Sequence, residues 1–303
     1  MRKAFTIIEL IITLVILSIV SYIASGLIAK TYIGYNQTNS IHKANLKVEI
    51  AITQIANRLE YAIDGTVVKR KSATDNSIDS IDQAPLDYEV LEWVGWDKDG
   101  FEANNNLSGM SVAVKNTSAW SGFCNIRKST STNIITPGSD LAFENDIIQR
   151  LSNGSVSLKN STVALFFPGN YDYTNIGYKG TTPSGVGLIS AYDGTVNKLS
   201  LVSPINRITE HYKLAWSAYA VVPINYNTKE GTFDLVLRYN FRPWRNVDYD
   251  DASVIKNQKM LANNVTVFKT YATQNRIHIK LCVKEKFGIN KSAAICREKV
   301  VFK

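Results

Sequence analysis

Histidine and cysteine are scarce in this chain, with three of each in 303 residues. His42, His211 and His278 are scattered, and none sits in a cluster of acids or cysteines. Each reads as a surface or strand residue rather than a general base or metal ligand. The cysteines include no CxxC pair, which argues against a structural metal. No HExxH, GxSxG, phosphate-binding loop or dinucleotide fingerprint occurs. The expectation is a non-enzyme that needs no cofactor. A second long apolar run is also missing, so at most one segment crosses a membrane by a helix.

That one segment is Phe5 to Ala29, 25 residues whose only charge is Glu9. As a helix it reaches about 37 Å, more than a hydrocarbon core of roughly 30 Å. It holds no proline, and Gly26 is its one weak point, with Gly34 just beyond. Ser21, Ser25 and Ala29 recur every four residues and give one small face for close helix contact. Arg2 and Lys3 precede the span, and Lys30 is the next base. The positive-inside rule then puts the short N-terminal stub in the cytoplasm and the long remainder outside it. Ser21, Ala24 and Ser25 also offer small residues for a signal-peptidase site, so a secretory signal is the competing reading.

Glu9 gives the span a chemistry, because a carboxylate in a membrane segment wants a partner. Its surroundings, Lys3-Ala4-Phe5-Thr6-Ile7-Ile8-Glu9-Leu10, resemble the leader of type IV prepilins. The resemblance implies a leader of residues 1–4, removed between Ala4 and Phe5 by prepilin peptidase, a membrane aspartyl enzyme. Phe5 then becomes the methylated N-terminus. Glu9 would neutralise the N-terminal amine of a neighbouring subunit. Ala4 stands where the family commonly has Gly. Two opposite charges about 4 Å apart gain of order 4 kcal/mol at an effective dielectric near 20, which offsets the burial and sets register between subunits. The implied partners are other pilin or pseudopilin subunits, an inner-membrane assembly platform and membrane lipid.

Residues 30–64 continue the helix as an amphipathic extension. Ile41, Ala44, Val48, Ile52, Ile55, Leu59 and Ala62 recur at threes and fours, and Asp64-Gly65 is the expected stop. Residues 66–85 are polar and read as a loop. Ten short apolar runs follow: Tyr88–Val94, Ser111–Val114, Val163–Phe167, Gly187–Ala191, Lys198–Val202, Trp216–Val222, Phe233–Tyr239, Val265–Tyr271, Ile277–Val283 and Lys299–Phe302. Leu141–Leu151 reads as a short helix. The predicted fold is α+β: one long N-terminal helix on a large, mainly antiparallel β head spanning 65–303. A head of that size points to a minor pilin or minor pseudopilin rather than a major one. The run from Leu261 to Val283 resembles the end of J-type or W-type minor subunits, a likeness of about twenty residues.

The net charge is +8, and it is uneven. From Ala262 to Lys303 nine Lys or Arg face only Glu285 and Glu298. Lys280, Lys284, Lys286, Lys291 and Arg297, with Phe268, Tyr271 and Phe287 among them, are candidate contacts for DNA phosphates. The rival reading of this run is a solvated basic hairpin. Cys282 and Cys296 lie in the same region and are the expected disulfide, worth roughly 3 kcal/mol for a loop of about 15 residues. Cys124 is the expected buried thiol. Asp97, Asp99 and Glu102 in WDKDGFE, and Asp248, Asp250 and Asp251 in VDYDD, are weak calcium candidates. Neither cluster completes an EF loop, and an acidic turn is the preferred reading. The leading function is a subunit that is cleaved, methylated and built into a type IV pilus or type II secretion pseudopilus. The alternative is a DNA-binding or adhesive tip subunit of a competence pilus. The expected location is a single pass through a bacterial inner membrane, then a filament in the periplasm or at the cell surface.

Overall fold

The computed structural model describes residues 6–303 except 73, 74, 76, 105–116, 289 and 290. Ala4 and Phe5, and the run Ser111–Val114, lie outside the described residues.

Helix α1 (Ile7–Leu59) runs unbroken for 53 residues, about 80 Å at the usual rise. Gly26 and Gly34 do not interrupt it. Its end comes before Asp64-Gly65. The Ile63 amide donates to the Val94 carbonyl at 2.8 Å, and Ala62 bridges Gly95. These strand-type bonds draw the chain out of the helix as soon as it reaches the sheet. Gly65, at φ 76°, then makes the left-handed turn that redirects it.

The segment expected to be a loop contains two strands, β1 (Val68–Arg70) and β2 (Ile78–Ser80). They join β3 (Val90–Gly95), which leads to a short helix α2 (Lys98–Glu102). Next come β4 (Asn133–Ile135), α3 (Leu141–Leu151), β5 (Ala164–Phe166), β6 (Gly187–Asp193), β7 (Lys198–Leu201) and β8 (Lys213–Ala215). The chain closes with β9 (Ser217–Asn227), β10 (Thr232–Phe241), α4 (Ala252–Ile255), β11 (Lys259–Thr273), β12 (Arg276–Gly288) and β13 (Lys291–Phe302). Eight strands form one antiparallel sheet in the order β13-β12-β11-β10-β9-β3-β1-β2. Five other strands form a second sheet, β4-β7-β6-β5-β8.

The layers follow from side-chain alternation. Ile277, Ile279, Leu281 and Val283 point from β12 to the face that α1 covers, where they meet Val48, Ile52, Ile55 and Leu59. The opposite face of the large sheet packs on Ala164, Phe166 and Ala215 of the small one. Strand β3 is therefore buried on both sides, with Leu91 and Trp93 toward α1 and Val90 and Val94 away from it. That is why its residues other than Glu92 and Gly95 are all large and apolar. A third cluster fills the space between the small sheet and α3, around Trp120, Leu141, Ile148 and Leu165.

The middle strands also bury an ion pair. Arg70 Nε donates to Glu92 Oε2 at 2.6 Å, and Arg70 Nη2 donates to Asp248 Oδ1 at 3.0 Å. The guanidinium lies 4.8 Å from the centre of the Tyr249 ring. This pairing lets β1, with Lys69 and Arg70 in sequence, occupy the interior of a sheet.

Candidate assembly site

Two halves of α1 have opposite surroundings. From Ile7 to Tyr35 every side chain is exposed, and this half is long and apolar enough to cross a membrane. Three of its hydroxyls bond back to the helix. Thr13 donates to the Leu10 carbonyl and Ser18 to the Val15 carbonyl, each at 2.8 Å, and Thr31 to the Leu27 carbonyl at 2.9 Å. Such bonds remove most of the cost of hydroxyls in lipid. Thr6 precedes the helix in extended conformation, and its carbonyl accepts from the Glu9 and Leu10 amides at 3.1 and 3.2 Å.

Glu9 thus sits in the first turn. A carboxylate there is favoured by the free amides of the helix start, by about 0.3–1 kcal/mol. It is exposed and, among the described residues, makes no hydrogen bond or ion pair within its own chain.

The second half of α1 is clamped to the head along its length. Ser40 donates to the Lys286 carbonyl at 3.0 Å. Lys47 pairs with Glu285 and donates to Asn263 Oδ1. Arg297 reaches Glu49 at 2.7 Å and Asn45 Oδ1 at 2.9 Å. Lys303 donates to the Ala62 carbonyl at 2.8 Å. Exposed pairs such as these are worth at most about 1 kcal/mol each. The apolar face carries most of the attachment, since Ala44, Val48, Ala51, Ile52, Ile55, Ala56 and Leu59 are all buried.

The basic residues of the C-terminal ribbon do not converge. Lys280, Lys284 and Lys286 share the face of β12 turned away from α1, and Lys284 and Lys286 both pair with Glu230, at 3.5 and 2.8 Å. Lys280 stands between Lys269 and Glu298 in register. Lys291 opens β13, and Arg297 faces α1. Cys282 and Cys296 are directly opposite in the β12–β13 ladder and form the expected disulfide. Cys124 is a buried free thiol beside Ser129, and burial pushes its pKa up.

The acidic segment after β3 is structural in its local bonding. Asp97 caps α2, accepting from the Gly100 amide at 3.2 Å. It also accepts from the indole N–H groups of Trp120 and Trp216, at 3.2 and 3.1 Å. Glu102 turns to Lys98 at 3.7 Å. In the second segment Asp248 pairs with Arg70, and Asp251 accepts the Asp248 amide at 2.8 Å. Among the described residues no group of three or more His, Cys, Asp or Glu is arranged to hold a metal.

Two pairings were hidden from the sequence. His278 has an acid beside it after all, since its Nδ1 is 3.3 Å from Glu298 Oε1 across the ladder and its ring stacks on Tyr271. Glu144, unremarkable in the sequence of α3, is brought against Asp97. Both pairs are distant in sequence and adjacent only through topology.

Residues 1–24 match the family model described as the prokaryotic N-terminal methylation motif. The matched residues include the expected leader and cleavage position, Glu9 and most of the apolar run. No curated protein and no solved structure matches the chain.

Proposed function

We propose, from the premise that the chain begins with the processing motif of a type IV pilin-like precursor, that it is a minor pilin or minor pseudopilin. In this reading it has no catalytic activity. Prepilin peptidase cuts between Ala4 and Phe5 and methylates Phe5. The apolar half of α1 holds the subunit in the inner membrane, with the head outside the cytoplasm. An assembly platform then moves it into a filament of related subunits, where Glu9 meets the N-terminal amine of a neighbour.

The observation that carries the reading is the division of α1. Half the helix is apolar and leaves the head altogether, and the other half is fused to the head by a continuous buried face. A plain membrane anchor needs no rigid coupling to its domain. A subunit that is lifted from the membrane into a filament does, because the helix must carry the head with it. A minor role is supported by the size of the head and its two sheets.

The nucleic-acid reading is the weaker one. Arg297 is engaged with α1, and two of the candidate lysines, Lys284 and Lys286, share the single carboxylate of Glu230. The main reading is tested by expressing the full chain with and without a prepilin peptidase and measuring its N-terminal mass. It expects an N-terminal Phe5 carrying one methyl group when the peptidase is present. An intact leader under those conditions contradicts it.

A further inference from the structure

Where the cap of α2 meets α3, two carboxyl groups lie together, with no base between them among the described residues. Glu144 is 0% exposed, and among the described residues neither of its oxygens receives a hydrogen bond. Its neighbour is Asp97, itself 4% exposed. Gly100 lies between them. A Cβ at that position would be 2.0 Å from Glu144 Oε2 and 2.2 Å from Asp97 Oδ2, so the two carboxyl oxygens flank one point. Two buried carboxylates cannot both be charged at such a distance, because neither their desolvation nor their repulsion is compensated. We propose that Asp97 and Glu144 share one proton, and that this proton is a pH-sensitive latch holding α3 and its small sheet to the rest of the head.

The asymmetry of the pair places the proton. Asp97 already accepts three N–H groups, from Gly100, Trp120 and Trp216, and these stabilise its charge. Glu144 has none, so its O–H donates to Asp97. Both pKa values are raised by burial first, that of Glu144 well above the ordinary range, with Asp97 and Asp99 adding to it. Among the described residues no cation pairs with either carboxyl. Arg58, at the end of α1, donates to the Gln54 carbonyl at 3.1 Å. Lys98 turns its ammonium to Tyr61 and Glu102, and Lys213 places its own over the Trp96 ring. The hydroxyls of Tyr212 and Thr136 share a hydrogen bond at 2.6 Å, and Cys124 faces Ser129. Asp97 also lines an open cavity of about 290 Å³ beside the end of α1, which gives water a route to the pair.

The linkage has a definite sign. The folded lobe binds a proton that the open lobe releases, so docking is strongest below the ordinary carboxyl pKa and weakens as pH rises toward the raised value. One proton changes the opening equilibrium by up to about tenfold per pH unit within that window. The test is hydrogen–deuterium exchange of residues 141–151 in the full chain in detergent. Protection in the wild type is compared with Glu144→Gln at each pH, which cancels the intrinsic exchange rate. The ratio is expected to fall as pH rises, and a constant ratio overturns the proposal. Infrared spectra of the wild type alone give a second measurement that does not depend on the variant folding. A protonated carboxylic acid band present at neutral pH and lost in alkali is expected. Its absence at neutral pH overturns the proposal, as does its loss on adding calcium at neutral pH, which would make the pair a cation site.

Discussion

Leu17 and Leu59 are the same residue in the same helix, and the structure assigns them opposite energetics. Leu59 is 0% exposed in the cluster between α1 and the large sheet, and Leu17 is 62% exposed in the apolar half. Replacing a buried leucine by alanine removes about three carbon groups, each worth about 0.8 kcal/mol of transfer energy. The cavity left behind adds to this, so Leu59→Ala is expected to cost about 3 kcal/mol. That is a rise of more than about a hundredfold in the unfolding equilibrium constant, taking 1.4 kcal/mol per factor of ten. Leu17→Ala is expected to leave head stability within about 0.5 kcal/mol. The assay is urea unfolding of the full chain in detergent, followed by tryptophan fluorescence. All five tryptophans lie beyond residue 59, so the signal reports the head. Equal losses in the two variants, or a Leu59→Ala loss under about 0.5 kcal/mol, would refute the division of the helix.

Two further outcomes are expected. Ala4→Trp should leave the leader in place when prepilin peptidase is present, because the bulky side chain blocks the position before the cut, and N-terminal mass spectrometry reads the result. Replacing Cys282 and Cys296 together by serine should cost roughly 3 kcal/mol in urea unfolding. In that variant β13, an edge strand joined to β12 along its length, should lose exchange protection before the centre of the sheet does.

The sequence makes some elements legible and hides others for physical reasons. The apolar run and the three-to-four spacing in α1 announce themselves because the helix has one consistent environment in each half. Strand β12 shows alternation because one of its faces meets α1. Strands β3 and β9 show near-continuous apolar runs, broken in β3 by Glu92, because they lie between two cores. Strand β1 was hidden by Lys69 and Arg70, whose burial depends on Glu92, Asp248 and the carbonyl of Pro85. Strands β4 and β8, at three residues each, are too short to show a period. The N-terminal motif is local and readable residue by residue. The Asp97–Glu144 contact and the His278–Glu298 contact are made by topology, and no spacing rule reveals them.

Glu9 remains the residue on which the account depends, since its carboxylate has no partner in its own chain among the described residues. The most direct measurement is incorporation of Glu9→Val into filaments in cells that make the other subunits. The variant should be cleaved and methylated normally, stay in the membrane, and be missing from the sheared filament fraction that contains the wild type. Filaments holding the variant at the wild-type level would contradict the assignment of Glu9 as the assembly charge.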